Sequence, residues 1–333
     1  MAKASKAATT QGAAVSVRGL VKRYGPIEAV RGIDLDVTPG EVFGFLGPNG
    51  AGKSTTIKML CTLVVPTAGS AQVAGLDVIT QRTAVRRNIG LVFQETTLDE
   101  YLTAEQNLKF HASIYGMSRR TVRPRIAAVL DLVGLADRKD SPVRTFSGGM
   151  KRRLEIARGL LHSPRVLFLD EPTIGLDPDS RQVLWRYVDE LRRQEDITVF
   201  LTTHYMDEAE RCDRIAIINH GTIVALGTPA ELKAQVGDDR VRIVTGDNPA
   251  SARKIAEKLG IEASPDGDAL LVTVPDGEGF VPKLFGIGIS VQSVSISRPS
   301  LDDVFMAHAG RRIGDEEAAA APRSQWMRAM SRR

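Results

Sequence analysis

The stretch Gly47-Pro48-Asn49-Gly50-Ala51-Gly52-Lys53-Ser54-Thr55 constrains this chain more than any other. It has the spacing G-x-x-x-x-G-K-[ST]. It lies between a short apolar run, Val42–Leu46, and a helical pattern, Lys53–Leu60. A continuous apolar run before a glycine-rich turn reads as a buried strand. Strand, turn and helix in that order are the context that gives the spacing meaning. The glycines let the backbone bend until successive N–H groups point inward as an anion cradle. The helix that follows adds the positive end of its dipole. Lys53 brings a point charge suited to the β- and γ-phosphates of a nucleotide, and the Ser54 hydroxyl can ligate Mg²⁺.

Two further apolar runs, residues 166–169 and 198–202, read as strands of the same sheet, with helical stretches between them. Strands alternating with helices imply an α/β fold whose sheet is mostly parallel. Asp170 and Glu171 follow the first of these runs. At the C-terminal end of a sheet strand, where such folds hold ligands, Asp170 is placed to hold the Mg²⁺ of a nucleotide. Glu171 is placed to polarise an attacking water. Ser147-Gly148-Gly149 precedes a helix from about Met150 to Leu161 and forms a second candidate anion site.

The chain opens differently. Val15 and Val17 alternate with polar residues, turn signals stand at Tyr24-Gly25-Pro26, and residues 32–37 form a second strand pattern, so antiparallel strands are expected. Residues 103–135 read mainly as helix, started by a Thr103/Gln106 capping box and broken at Gly116 and Pro124. Near Val236 the pattern restarts: strands at 241–244, 270–274 and 289–296 and helices at 250–259 and 280–285 make a small α+β module spanning 236–310. Residues 1–14 and 311–333 read as flexible tails.

Composition removes several function classes. The 333 residues are 43% hydrophobic and 25% charged, which fits a globular chain able to bury its own core. The two cysteines, Cys61 and Cys212, have no partner at metal-ligand spacing, so neither a disulfide scaffold nor a Cys-based zinc site is expected. No apolar run reaches the roughly 18 residues that span a bilayer. Residues 1–14 lack the apolar stretch of a secretory signal, so a cytoplasmic location is expected. The net charge of +4 is spread over pairs such as Arg86-Arg87 and Arg192-Arg193, which read as solvated helix faces. A nucleic-acid partner is not expected.

Taken in order, the motifs resemble those of the ATP-binding subunits of ABC transporters, over roughly residues 15–235. Residues 47–55 look like the Walker A motif, 147–150 are similar to the signature motif, and 166–171 to Walker B. Gln94 matches the Q-loop, Asp177 within 175–178 the D-loop, His204 the switch histidine, and Tyr24 the adenine-stacking aromatic. The resemblance implies a P-loop ABC cassette at 15–235: a mostly parallel sheet, an antiparallel β subdomain and a helical subdomain at about 95–160. It implies ATP and Mg²⁺ as cofactors. Glu171, His204 and Gln94 take the catalytic roles, with Ser54, Gln94 and Asp170 at the metal. Tyr24 and residues 47–55 serve the chain's own ATP. Ser147, Gly148, Gly149 and Asp177 serve the ATP held by a second subunit. Met150 stands where the family most often has Gln, and Ile174 where a small Ser is frequent, which marks a subgroup.

Residues 300–305, Ser-Leu-Asp-Asp-Val-Phe, resemble the C-terminal pattern of the daunorubicin-resistance type. Read physically they are a capped helix start: Ser300 as N-cap, Asp302 and Asp303 in the first turn, Val304 and Phe305 inward. The resemblance implies a head-to-tail pair of ATP-binding subunits working with a separate membrane permease, bound at the cytoplasmic face, and exporting a hydrophobic drug, antibiotic or lipid. Leu98, Tyr101 and Leu102 are candidate permease contacts. The alternatives are a non-transport ABC ATPase of translation or DNA repair, and a P-loop kinase or GTPase. The first usually carries two cassettes or long heptad repeats. The signature turn and Gln94 argue against the second, as does the lack of an Asn/Thr-Lys-x-Asp guanine-reading motif.

Overall fold

A computed structural model describes residues 12–195 and 197–309; the terminal tails expected at 1–14 and 311–333 lie almost wholly outside them. Ala14, the last residue of the first expected tail, is buried. Its N–H donates to Val37 O and its carbonyl accepts the Ala74 N–H, so order begins before Val15.

The chain divides at Thr228/Pro229. The first unit runs β1 (Val15–Tyr24), β2 (Ile27–Val37), β3 (Val42–Leu46), α1 (Lys53–Leu60), β4 (Ala68–Val73), β5 (Leu76–Asp77), α2 (Arg82–Asn88) and β6 (Ile89–Val92). It continues with α3 (Ala104–Ile114), α4 (Arg119–Leu132), α5 (Gly148–Leu160), β7 (Val166–Asp170), α6 (Pro178–Glu195), β8 (Thr198–Thr203), α7 (Met206–Ala209), β9 (Arg214–Asn219) and β10 (Thr222–Gly227). Strands β2-β1-β4-β5 form an antiparallel sheet. The second sheet has the order β10-β9-β3-β8-β7-β6, parallel throughout except for the β9/β10 pair.

Every residue of β3, β7 and β8 is buried, as continuous apolar runs in a two-sided parallel sheet require. Phe200 on β8 is the centre of this core. Its ring lies 5.3 Å from Phe43, 5.7 Å from Phe45 and 5.4 Å from Phe168. The helical stretch keeps its expected capping box: Thr103 accepts the Gln106 N–H while Gln106 accepts the Thr103 N–H. Pro124, expected to break it, lies inside α4. That helix starts afresh at Ser118, so the break falls at Gly116, which adopts φ +64° and ends α3.

The second unit contains α8 (Pro229–Val236), β11 (Asp239–Thr245), α9 (Asn248–Leu259), β12 (Ala263–Asp266), β13 (Ala269–Val274), α10 (Gly277–Gly286), β14 (Val291–Ser297) and α11 (Leu301–Ala309). Its sheet, β12-β13-β11-β14, is antiparallel. Val241, Ile243, Ile255, Leu270, Val272, Phe280 and Leu284 form a separate core. The pattern restart near Val236 implies a boundary there, but the structure moves it upstream: α8 packs on α11 and belongs to the second unit. Leu232 on α8 and Leu301, Val304 and Phe305 on α11 are the buried residues of those helices. Ser300 caps α11 reciprocally, its Oγ accepting the Asp303 N–H and Asp303 Oδ2 accepting the Ser300 N–H.

Two outcomes follow. Phe200→Ala leaves a cavity among three rings and should destabilise the first unit by about 3–5 kcal/mol, measured by denaturant unfolding. A fragment ending at Thr228 should melt cooperatively and bind ATP, whereas one ending at Gln235 exposes Leu232 on a helix that has lost α11 and should be the less soluble of the two.

Candidate functional site

The end of β3 enters the glycine-rich turn with the Gly47 N–H donating to Thr203 O at 3.2 Å, which fixes the turn to the end of β8. A Cβ on Gly47 would lie 2.3 Å from Ile218 O. On Gly52, held at φ +110°, it would lie 2.5 Å from Ala29 O. Both positions therefore require glycine. Gly52 O accepts from the N–H and hydroxyl of Thr56, which starts α1. Pro48, Asn49, Gly50, Gly52, Lys53, Ser54 and Thr55 line a cleft of about 360 Å³, together with Ala29, Gln94, Glu171 and Ile174. Ala51 is instead buried, its carbonyl accepting the Gly221 N–H.

Lys53 is 4% exposed. Its Nζ donates to Gly47 O at 2.7 Å and Pro48 O at 3.1 Å, and lies 3.3 Å from Glu171 Oε1. Ser54 Oγ donates to Asp170 Oδ1 at 3.2 Å. Thr202, opposite Asp170 in the β7/β8 register, donates its hydroxyl to Asp170 Oδ1 at 2.6 Å and accepts the Glu171 N–H at 3.0 Å. Glu171 itself sits at φ +47°, a left-handed conformation unfavourable for a side chain. The turn so strained aims its carboxylate at Lys53 and at His204, whose Nδ1 is 3.5 Å away and has no hydrogen-bond partner. That imidazole, at the outer edge of hydrogen-bonding distance, and the Lys53 ammonium hold the Glu171 carboxyl below its ordinary value, against the effect of burial.

Gln94 is exposed at the cleft's rim. Helix α5 brackets it. Arg152, 6% exposed, donates to Phe93 O on one side of Gln94, and Glu155 accepts the Thr97 N–H at 2.8 Å on the other. The same guanidinium donates to Pro172 O at 2.7 Å, Asp170 O at 3.1 Å and Glu171 O at 3.2 Å. Arg152 therefore ties the strand that ends at Asp170 to the segment carrying Gln94. It escapes sequence reasoning because Arg152-Arg153 looks like any other surface pair. Thr202 and Ala29 are equally silent in the sequence, and Ile174 stands out there only as the mark of a subgroup.

The remaining candidates do not line this cleft. Ser147 caps α5 by accepting the Met150 N–H, and both it and Gly148 are exposed. Asp177 caps α6, accepting the Ser180 N–H at 2.9 Å and its hydroxyl at 2.7 Å. Those bonds hold its carboxyl below the ordinary range. A Cβ on Gly149 would meet Ser180 Oγ at 2.7 Å, so these two caps lie side by side. Tyr24 is 44% exposed, with Lys22 Nζ 4.9 Å from its ring centroid.

A parallel sheet with a phosphate cradle at its C-terminal edge, and with a lysine, a serine and two carboxylates converging there, defines a P-loop nucleotide hydrolase. The family model for ABC transporters matches residues 30–174, and that for the C-terminal domain of ATP-binding proteins of the DrrA1-3 type matches residues 227–309. The chain is 43% identical to the daunorubicin/doxorubicin resistance ATP-binding protein DrrA of Streptomyces peucetius, over 92% of this chain and 96% of that protein. Among solved structures it resembles cbiO1 from Clostridium perfringens, part of the ABC transporter complex cbiONQ, with TM-score 0.63 and 28% identity over 75% of this chain and 96% of that one. It also resembles an ATP-binding cassette solved as a dimer in a post-hydrolysis state with ADP and Pi, with TM-score 0.58 and 27% identity over 64% of this chain and 98% of that one. The chain belongs to the ATP-binding subunits of ABC transporters, in the daunorubicin/doxorubicin-resistance branch. It binds ATP and hydrolyses it to energise transport.

Gly52→Ala should abolish ATP binding while leaving the far-UV spectrum of the native fold, because the added methyl collides with backbone. Thr202→Val strands the buried Glu171 N–H and should destabilise by about 1–3 kcal/mol in chemical unfolding. The lowered Glu171 carboxyl sets a pH dependence as well. Its ionised form stabilises the fold above the ordinary value of 4.5, and that contribution is lost only as pH falls through the lower folded value. The Tm gap between wild type and Glu171→Gln should be constant from about pH 7 to pH 5 and close below that.

Proposed function

We propose that this chain supplies half of each of two composite ATP sites. The observation that carries the reading is the separation within one subunit. The cradle, Lys53, Ser54 and Glu171 line one cleft, and Asp170 is bonded to it through the Ser54 hydroxyl, while Ser147, Gly148 and Asp177 stand outside it. An exposed helix N-terminus with free glycine N–H groups is an anion site without an anion of its own. Two copies placed head to tail give each cleft a second wall, and the neighbour solved as a dimer supports pairing of two copies.

Within a site, residues 47–55 and Lys53 bind the phosphates. Ser54 Oγ and Asp170 Oδ1, 3.2 Å apart, are hard oxygen donors that suit Mg²⁺ with its remaining positions filled by phosphate and water. Bound there, Mg²⁺ would neutralise charge on the β- and γ-phosphates. Glu171, kept ionised, orients the attacking water and takes its proton. His204 steadies that carboxylate, and Gln94 closes the rim. Tyr24 offers an exposed face for the base to stack on.

The subunit works at the cytoplasmic face of a membrane with a separate permease. Among the described residues no helix is long and apolar enough to cross a membrane. The substrate class proposed is a hydrophobic drug, antibiotic or lipid, by analogy with the daunorubicin/doxorubicin resistance relative.

Lys53→Ala should lose ATP binding and turnover together. Glu171→Gln should keep binding and lose about 10²- to 10⁴-fold in rate. It should also shift from monomer to dimer on ATP, and not on ADP, in size-exclusion chromatography. Ser147→Arg should bind ATP as a monomer and neither dimerise nor turn over. An ATP-independent elution volume for Glu171→Gln would remove the composite site.

A further inference from the structure

Glu208 lies on the one-turn helix α7, four residues beyond His204, and is 2% exposed. Among the described residues it has no ion-pair partner. Its Oε2 accepts the Thr203 hydroxyl at 2.7 Å, and its Oε1 accepts the Thr173 hydroxyl. Thr203 and Thr173 are each 1% exposed. A buried carboxylate satisfied only by two hydroxyls is an expensive way to fill space, and an apolar side chain of similar volume would serve packing better. Burial accordingly raises the Glu208 carboxyl above its ordinary value.

The two hydroxyls identify what the carboxylate holds. Thr203 Oγ1 also accepts the Tyr205 N–H at 2.9 Å, so it fixes the turn that presents His204. The Thr203 carbonyl accepts the Gly47 N–H, so the same residue touches the phosphate cradle. Thr173 stands two residues beyond Glu171, and its carbonyl accepts the Leu176 N–H at 3.1 Å, folding the turn that runs on to Asp177. One side chain thus joins the turn of the switch histidine to the turn between the catalytic carboxylate and the α6 cap.

We propose that Glu208 is a positioning residue for hydrolysis. It sets the spacing of His204 and Glu171 on one side and the placement of the Asp177 turn on the other. The assignment rests on the composite-site reading above. It acts on turnover and on closure of the pair, and hardly on the binding of ATP to one subunit, because neither hydroxyl faces the cradle's N–H groups.

The test compares Glu208→Leu and Glu208→Gln in the full chain. Leu fills the buried volume without an acceptor, whereas Gln keeps one acceptor oxygen and an amide that can face the second hydroxyl. Glu208→Leu should lower kcat by about 10- to 100-fold, the scale of a small misplacement of reacting groups. Its KM for ATP should stay within about threefold. Its Tm should be equal to or above that of the wild type. Glu208→Gln should recover most of kcat. Thr173→Val, which removes one bridge only, should fall in the same direction and by less. In the Glu171→Gln background, Glu208→Leu should weaken the ATP-driven dimer. The wild-type rate reports hydrolysis itself, so a fall in the Glu208→Leu and Thr173→Val variants beside an active wild type is separable from a failure of that reading. Wild-type kcat in both Glu208→Leu and Thr173→Val overturns the assignment. So does a loss of kcat matched by lost ATP affinity and a lower Tm, which is the mark of a residue that only holds the fold.

Discussion

The parallel pairing of β3, β8 and β7 is the constraint on which the cleft depends. Leu46 lies opposite Thr203, and Asp170 opposite Thr202. Parallel strands in register end at one edge, so the phosphate cradle, the His204 turn and the Asp170-Glu171 turn emerge as neighbours. Beneath them the rings of Phe43, Phe45, Phe168 and Phe200 interlock. No hairpin can connect parallel strands, so each crossover needs a long excursion. The excursion between β6 and β7 is the one that carries α3, α4 and α5.

The site is held ready by hydrogen bonds that already exist without a nucleotide. Lys53 leans on two carbonyls and on Glu171, Asp170 takes hydroxyls from Ser54 and Thr202, and Arg152 gathers four backbone carbonyls from two segments. Charges this deeply buried are tolerable only when each is compensated locally. Compensation also fixes direction, and directed charge is what stabilises a charged transition state without reorganisation. The left-handed Glu171 belongs to the same economy: backbone strain is accepted where the carboxylate must point.

The second unit has a different character. Its antiparallel sheet and its own core owe nothing to a nucleotide cleft. Its helix α11 is started by the Ser300/Asp303 cap, so the residues that mark the subgroup also have a plain structural task.

Much of this was legible in the sequence, wherever the signal is local. Val42–Leu46 and Lys53–Leu60 have in the structure the limits that their pattern implies, because an apolar run, a glycine turn and a helix start are properties of adjacent residues. The Thr103 cap is local in the same way. Signals that depend on distant partners were not legible. Nothing near Arg152 in the chain distinguishes it from Arg153; its burial is decided by carbonyls at 93, 170, 171 and 172 that only the fold assembles. Pro124 reads as a break and is accommodated within α4, and α8 joins the second unit because α11 offers it an apolar face. Sequence alone determined that a phosphate cradle, a second glycine turn and two acids exist in this order. Tertiary structure decided which of them share a cleft, because proximity across the sheet is set by strand order, and strand order is not written in the spacing of residues along the chain.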